Sequence, residues 1–235
     1  MSTVDPINLQ TFADHASQWW DEHGPFKPLH ALNPQRLQFI QTHIRRVYPE
    51  IQHLNIIDVG CGGGLACEPF ARLRAQVTGL DASVEAIKAA KAHASGQGLD
   101  ITYQVGTVDD ISAHATFDVV LALEVAEHVQ RVEHFVSRCF ALLKPGGLLF
   151  ISTLNRTWRS YLQGIVAAEY ILRWVPRGTH TWGQFLTPAE VGAYLNEHGA
   201  HWHDLSGISY KPLRRTWQLT ADLSVNYIGV TQKPL

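Results

Sequence analysis

A run of glycines and the acids around it are the residues of this chain whose types and spacing most directly define a chemistry. Ile56-Ile57-Asp58-Val59-Gly60-Cys61-Gly62-Gly63-Gly64 is an apolar run that ends in a glycine turn, and Asp81 follows 21 residues after Gly60. A strand feeding such a turn lets backbone approach a ligand closely, and an acid at the end of the next strand accepts both hydroxyls of a ribose. The glycines fall as G-x-G-x-G, with Leu65 where the third glycine of the dinucleotide fingerprint G-x-G-x-x-G belongs. A pyrophosphate needs the helix N-terminus bare. The methionine half of S-adenosyl-L-methionine carries no phosphate, so the pattern favours that cofactor over a nicotinamide dinucleotide. Asp58, just ahead of the loop, is placed to reach the cofactor's ammonium directly or through water. Leu123 closes a later apolar run beside the loop, where its backbone lines the methionine part, and Val108 and Asp109 are candidates to meet the adenine amine.

Glu124, Glu127 and His128 form a second constellation. If Glu124 opens a helix, all three project from one face. Two carboxylates and an imidazole offer a hard-to-borderline site for a divalent cation such as Mg2+, with positions left for a chelating diol. Such a cation would lower a phenol's pKa. The same turn equally serves to start a helix and shape a pocket without any metal. His128 is also a candidate general base, since an imidazole takes a proton near neutral pH. His180 competes for that role.

These residues need a sheet to hold them. Near-continuous apolar runs predict parallel strands over Asn55 to Val59, Gln76 to Leu80, Ile101 to Gln104, Phe117 to Leu123 and Leu148 to Thr153. Helical spacing predicts Ala66 to Leu73, Val84 to His93 and Val132 to Leu143, the last ended by Lys144-Pro145-Gly146-Gly147. The alternation is that of an α/β, Rossmann-like fold with a seven-stranded, mostly parallel sheet. Two helices, Leu9 to Asp21 and Pro34 to Val47, joined by a turn-rich stretch from His23 to Asn33, are expected to cap it. After Asn155 comes an apolar helical stretch, Tyr161 to Val175, with a narrow Glu169/Arg173 stripe; both a lid helix and an interfacial helix fit that pattern. A capping box, Thr187-Pro188 with Glu190, opens a further helix. Trp202 to Tyr210 and Leu223 to Gln232 read as a terminal antiparallel hairpin at the sheet edge. The chain thus divides into a cap (1–50), a cofactor-binding core (51–155), an insertion (156–186) and a C-terminal helix with strands (187–235), all within one domain.

Composition disfavours several alternatives. With 46% hydrophobic and 17% charged residues the chain buries a core rather than remaining disordered. A formal net charge of -2 provides no global positive field for a nucleic acid. Cys61, Cys67 and Cys139 form neither a C-x-x-C pair nor a disulfide framework, which fits a reducing compartment. Neither a basic, apolar leader nor an uninterrupted apolar stretch of about 18 residues occurs, so a cytoplasmic location is expected.

Longer strings carry a more specific signal: Trp19-Trp20-Asp21, Gly24-Pro25-Phe26-Lys27-Pro28-Leu29-His30, Asn33-Pro34-Gln35-Arg36, Ser152-Thr153-Leu154-Asn155-Arg156, Ala168 to Arg173, Val175 to His180 and Val225-Asn226-Tyr227. On these the chain resembles, over nearly its whole length, the ubiquinone-biosynthesis O-methyltransferases, class I S-adenosylmethionine-dependent enzymes that methylate polyprenylated catechols and demethylubiquinol. The resemblance implies that Arg36 binds the cofactor's carboxylate, beside Gly60, Asp81 and Leu123, the last often a Met in relatives. It also implies a magnesium site at Glu124, Glu127 and His128, and association with membrane-surface lipids at the inner face of the cytoplasmic membrane through the segment around Gly164 to Gly183. Other ubiquinone-biosynthesis enzymes are the expected protein partners. Methylation of another small phenol, and a non-catalytic lipid-binding role in such an assembly, are the alternatives.

Overall fold

The computed structural model describes residues 15–112, 115–162, 181–211 and 216–235. Strands β1 (Asn55–Val59), β2 (Gln76–Asp81), β3 (Thr102–Val105), β4 (Phe117–Leu123) and β5 (Leu143–Leu154) run parallel to their neighbours. With β6 (Trp202–Lys211), β7 (Thr216–Thr220) and β8 (Asn226–Gln232) they form one eight-stranded sheet in the order β3-β2-β1-β4-β5-β8-β6-β7. Strand β8 lies antiparallel between β5 and β6. The two last strands read from the sequence are therefore neighbours, but the second is inserted into the sheet rather than left at its edge. The edge is formed instead by β7, which the sequence reading missed. Its Thr-Trp-Gln-Leu-Thr run is only half-buried, so it lacks the continuous apolar signal of the inner strands.

Period-two alternation divides the strands between two cores. Ile56, Val119, Leu121, Leu148 and Phe150 pack on one face with Phe39, Ile40 and Ile44 of α1 (Lys27–Val47), Phe70 of α2 (Cys67–Arg72) and Ile87 and Ala90 of α3 (Val84–Gly96). Ile57, Val120, Ala122, Leu149 and Ile151 pack on the other with Phe135, Val136 and Cys139 of α4 (Val132–Leu142) and Val191 and Leu195 of α5 (Pro188–Asn196). The expected capping box opens α5: Thr187 Oγ1 accepts from Glu190 N at 3.2 Å, and Glu190 Oε2 accepts from Thr187 N at 2.8 Å.

The N-terminal region differs from expectation. Helix α1 begins at Lys27, inside the stretch read as turns, and carries Pro34 in its interior. Pro28 suits a first helical turn. Pro34 sacrifices one backbone bond there, while burial of Asn33, Arg36 and Phe39 against the sheet holds the helix together. Of the first cap helix, only its last part lies within the described residues, where Ala16–Gln18 form a single 3-10 turn. The Glu169/Arg173 stripe, Ala168 to Arg173 and His180 lie outside the described residues.

Strand order reverses direction between β1 and β4, and the crevice beyond their carboxyl ends is where ligands bind in open α/β sheets. Asp58 and Gly60 stand at one side of that crevice. Leu123 and Glu124 stand at the other.

Candidate active site

The glycine turn is held in shape from beneath. Gly60 N and Cys61 N both donate to the Leu80 carbonyl, at 2.8 and 3.0 Å. Asp81 clamps the turn from β2: its Oδ2 accepts from Gly62 N and its Oδ1 from Ser83 N, each at 2.8 Å. Burial raises its carboxyl above the usual range, and these two donors oppose the shift. A carboxylate has about four lone-pair sites, so the clamp leaves acceptor capacity for ribose hydroxyls. Gly60 has φ +77 and its Cα faces Val125, which follows the end of β4. A side chain at Gly60 would both strain the backbone and strike Val125.

Asp58 is 2% exposed, and burial pushes its carboxyl up to about 7, against a Cys67 thiol that donates at 3.4 Å and the nearby Arg36 guanidinium. Arg36 projects from α1 into the same region at 4% exposure. Burial lowers its pKa, while Glu124, Asp58 and Glu127 all favour its charge. Its hydrogen bonding is incomplete. Nη1 lies 3.9 Å from Glu124 Oε1, Nη2 reaches Asn33 Oδ1 only at 3.5 Å, and Nε, though buried, has no partner among the described residues. A buried guanidinium with unused donors on a planar fork fits a carboxylate that binds it bidentately. Asn33 in turn donates from Nδ2 to the Leu65 carbonyl at 2.8 Å, which fastens α1 to the far end of the glycine loop.

Glu124 does not open a helix. It takes a left-handed conformation, φ +53, directly after β4, and the one-turn 3-10 segment Ala126–His128 follows. The expected single face of Glu124, Glu127 and His128 is therefore not formed. Left-handed backbone at a non-glycine residue costs about 1 kcal/mol or more. The surroundings of Glu124 offset it: its N–H donates to the Ser152 carbonyl at 2.9 Å, and its Oε1 accepts from Ser152 Oγ at 2.7 Å. Glu127 is buried and accepts from Thr153 Oγ1 at 2.9 Å. Burial and the neighbouring Glu124 hold its carboxyl well above the usual carboxylate range. His128 ends the 3-10 turn, half-buried.

This arrangement does not fit a divalent cation. No group of three His, Cys, Asp or Glu side chains among the described residues is placed to hold a metal ion. Glu124 is directed to Ser152 and Arg36 instead.

The structure thus brings Arg36, Asp58, Gly60, Asp81, Leu123, Glu124 and Glu127 to one crevice. Asp109 Oδ1 meets His134 Nε2 at 2.7 Å and Arg138 Nε at 3.5 Å on α4. Residues missed from the sequence are Asn33, Ser152, Thr153 and Tyr227. Ser152 and Thr153 interrupt the apolar run from Leu148 to Leu154 in β5, which is the signal that marks them. Tyr227, paired in register with Thr153, is fully buried, and its hydroxyl has no hydrogen-bond partner among the described residues.

A methyltransferase-domain family model matches residues 57–151. The ubiquinone biosynthesis O-methyltransferase of Nitrobacter winogradskyi is 45% identical over 98% of this chain and 91% of its own length. That of Rhodopseudomonas palustris is likewise 45% identical, over 98% and 94%. Among solved structures, the plantazolicin methyltransferase in complex with SAH superposes with a TM-score of 0.66 at 16% identity, covering 97% of this chain and 95% of that one. The magnesium protoporphyrin IX methyltransferase of Synechocystis with bound SAH gives 0.60 at 18% identity, covering 86% and 84%.

Proposed function

The chain belongs to the ubiquinone biosynthesis O-methyltransferases, S-adenosylmethionine-dependent enzymes, and from that premise we propose that it methylates the phenolic hydroxyls of polyprenylated catechol intermediates, 2-polyprenyl-6-hydroxyphenol and 3-demethylubiquinol. The observation that carries this reading is the under-bonded, buried Arg36 guanidinium in the crevice it shares with Asp58 and the glycine loop. Arg36 holds the cofactor's carboxylate, Asp58 its ammonium, Asp81 its ribose hydroxyls, and the backbone at Gly60 and Leu123 lines its methionine chain. The bound cofactor supplies an electrophilic sulfonium methyl. Catalysis by the chain is positioning and deprotonation: the substrate hydroxyl is aligned opposite the methyl group and loses its proton to His128, with Glu124 and Glu127 shaping the polar wall.

The titration of Asp58 gives this reading a pH signature. A carboxyl near 7 is largely protonated below that pH and then accepts poorly from an ammonium. Donor affinity is expected to fall by about tenfold per pH unit below 7 and to level off above it, as for a single linked proton. Asp58→Asn should flatten the profile at weak affinity. Stability of the ligand-free protein runs the other way. Its folded-state pKa lies above the ordinary carboxylate value, so the folded state binds more protons and loses stability as pH rises from about 4 to about 7. Calorimetric titration and thermal melting across that range check both signs.

The membrane-surface reading rests on exposed apolar side chains in the described ends of the insertion. Trp158 is 66% exposed and Trp182 41%, with Tyr161 and Leu162 also exposed and Arg159 beside them. Trp and Tyr with a basic neighbour suit the headgroup layer of a bilayer, where a polyprenyl tail is delivered. No helix among the described residues is long and apolar enough to cross a membrane. Radiolabelled methyl transfer in the presence of anionic vesicles tests the function. A short-tailed prenyl catechol is expected to be methylated on oxygen with a kcat/KM at least about tenfold above that of unprenylated catechol, the scale of a few buried methylenes. Equal rates for the two would remove the polyprenyl assignment, and no transfer to either would remove the function.

A further inference from the structure

The glycines of the cofactor loop each face an identified side chain. Gly60 faces Val125 and Gly64 faces the Tyr103 ring and hydroxyl, whereas a Cβ at either Gly62 or Gly63 would overlap the Trp19 indole. Trp19 is buried, and its ring stacks on Phe26 with centroids 3.9 Å apart. Trp20 extends the attachment. Its Nε1 donates to the Gly63 carbonyl at 3.0 Å, and its ring lies flat on His93, centroids 3.6 Å apart and 6° from parallel. His93 Nδ1 meets the buried Glu68 Oε1 at 2.6 Å. His30 Nε2 lies 2.8 Å from the Trp19 carbonyl. The segment ahead of α1 is thus strapped over the loop from both sides.

A turn with four glycines in five residues has an unusually large conformational freedom to lose before it binds anything. An indole packed on two of them removes that freedom in advance. Resting on the assignment of this loop to S-adenosylmethionine, we propose that Trp19 is a positioning residue for the cofactor: its indole, seated on Gly62 and Gly63, holds the loop in its binding shape, and those two glycines make room for the indole rather than for the ligand. Gly63 is the better probe of the two, because Gly62 has φ +52 and any side chain there adds backbone strain.

The test is a double-mutant cycle on the full chain, read by calorimetric titration with S-adenosylhomocysteine. Trp19→Ala and Gly63→Ala are each expected to weaken binding by about tenfold or more, and Trp19→Phe by no more than about threefold, since a ring is retained. The double variant should bind within about twofold of Trp19→Ala alone, because the new methyl then has nothing to strike. In steady state the KM for the donor rises while kcat at saturating donor stays within about twofold, a split that general loosening of the fold does not produce. Wild-type affinity in Trp19→Ala overturns the proposal, as does a double variant whose losses multiply, which would place the Gly63 methyl against the ligand. Should Trp19→Ala melt below the assay temperature, Trp19→Leu takes its place in the same cycle. If the wild-type protein binds no S-adenosylhomocysteine, the cofactor assignment fails; if wild type binds and the cycle is additive, only the strap does.

Discussion

Replacing Arg36 with leucine is expected to raise the KM for S-adenosylmethionine by about two to three orders of magnitude while kcat at saturating donor changes little. The guanidinium is 4% exposed and, among the described residues, lacks partners for part of its donor set, so the energy of its missing bonds is available to a ligand carboxylate. Truncating one member of a buried, hydrogen-bonded charge pair costs about 2–5 kcal/mol, which spans roughly 30-fold to several-thousand-fold in affinity. Two further consequences distinguish this effect from unfolding. Removal of the cation leaves Asp58, Glu124 and Glu127 facing one another without its field, so the carboxyl of Asp58 moves up from about 7 and the pH profile of residual binding shifts alkaline. Arg36→Lys restores the charge but not the planar fork, and should recover only part of the affinity. Steady-state kinetics on the three proteins across pH 6 to 9 measure all of this, and an unchanged donor KM in Arg36→Leu would contradict the assigned role (pH range about that of the expected shift).

Asp81→Ala is expected to abolish measurable donor binding and to lower the melting temperature as well. One carboxylate is responsible for both effects. Its oxygens accept from Gly62 N and Ser83 N at 2.8 Å each, tying the glycine turn to the start of α3. Hydrogen bonds to charged groups contribute about 1.5–3 kcal/mol apiece, and their loss frees two backbone donors. For a chain of this size each kcal/mol lowers the melting temperature by about 2–4 °C, so loss of both bonds predicts a fall of roughly 6–24 °C. Asp81→Asn retains an acceptor for one of the two amides and should fall between the wild type and the alanine variant in both measurements. A variant that melts lower yet binds the donor as wild type would show that Asp81 serves the turn alone.

How much of this was legible in the chain depends on whether a local pattern encodes it. Strands β1 and β4 begin and end where their apolar runs do, since a strand buried on both faces has no other way to be written. The glycine turn and Asp81 followed from spacing, and the capping box of α5 from residue types alone. What was misread depended on backbone sign or on distant packing. Glu124, Glu127 and His128 would share a face only if Glu124 opened a helix, yet Glu124 takes a left-handed φ held by hydrogen bonds to Ser152, a residue on the next strand. The segment His23 to Asn33 looked like turns because of Gly24, Pro25 and Pro28, yet most of it is the first turns of α1, stabilised by contacts with the loop and sheet. Nothing in the spacing of Gly62 and Gly63 indicates that their Cα atoms face Trp19, more than forty residues away, a pairing that only the fold discloses.

The polar wall at Glu124, Glu127, Ser152, Thr153 and Tyr227 has the same origin. Each residue is unremarkable in its own segment, and the cluster exists because β4, β5 and β8 lie side by side with Leu123 opposite Ser152 and Thr153 opposite Tyr227. A network of this kind at the end of a sheet is expensive to maintain unless it is used, because buried polar groups left half-satisfied weaken the fold. The left-handed Glu124 and the Tyr227 hydroxyl, which has no partner among the described residues, are therefore consistent with a site shaped for a substrate hydroxyl.

The most direct test of the account is a crystal structure of the wild-type protein with S-adenosylhomocysteine. The account predicts the ligand in the crevice between the ends of β1 and β4, its carboxylate on the Arg36 guanidinium, its ammonium at Asp58 and its ribose hydroxyls on Asp81. A ligand bound elsewhere, or with its carboxylate turned away from Arg36 and its ribose away from Asp81, would contradict it.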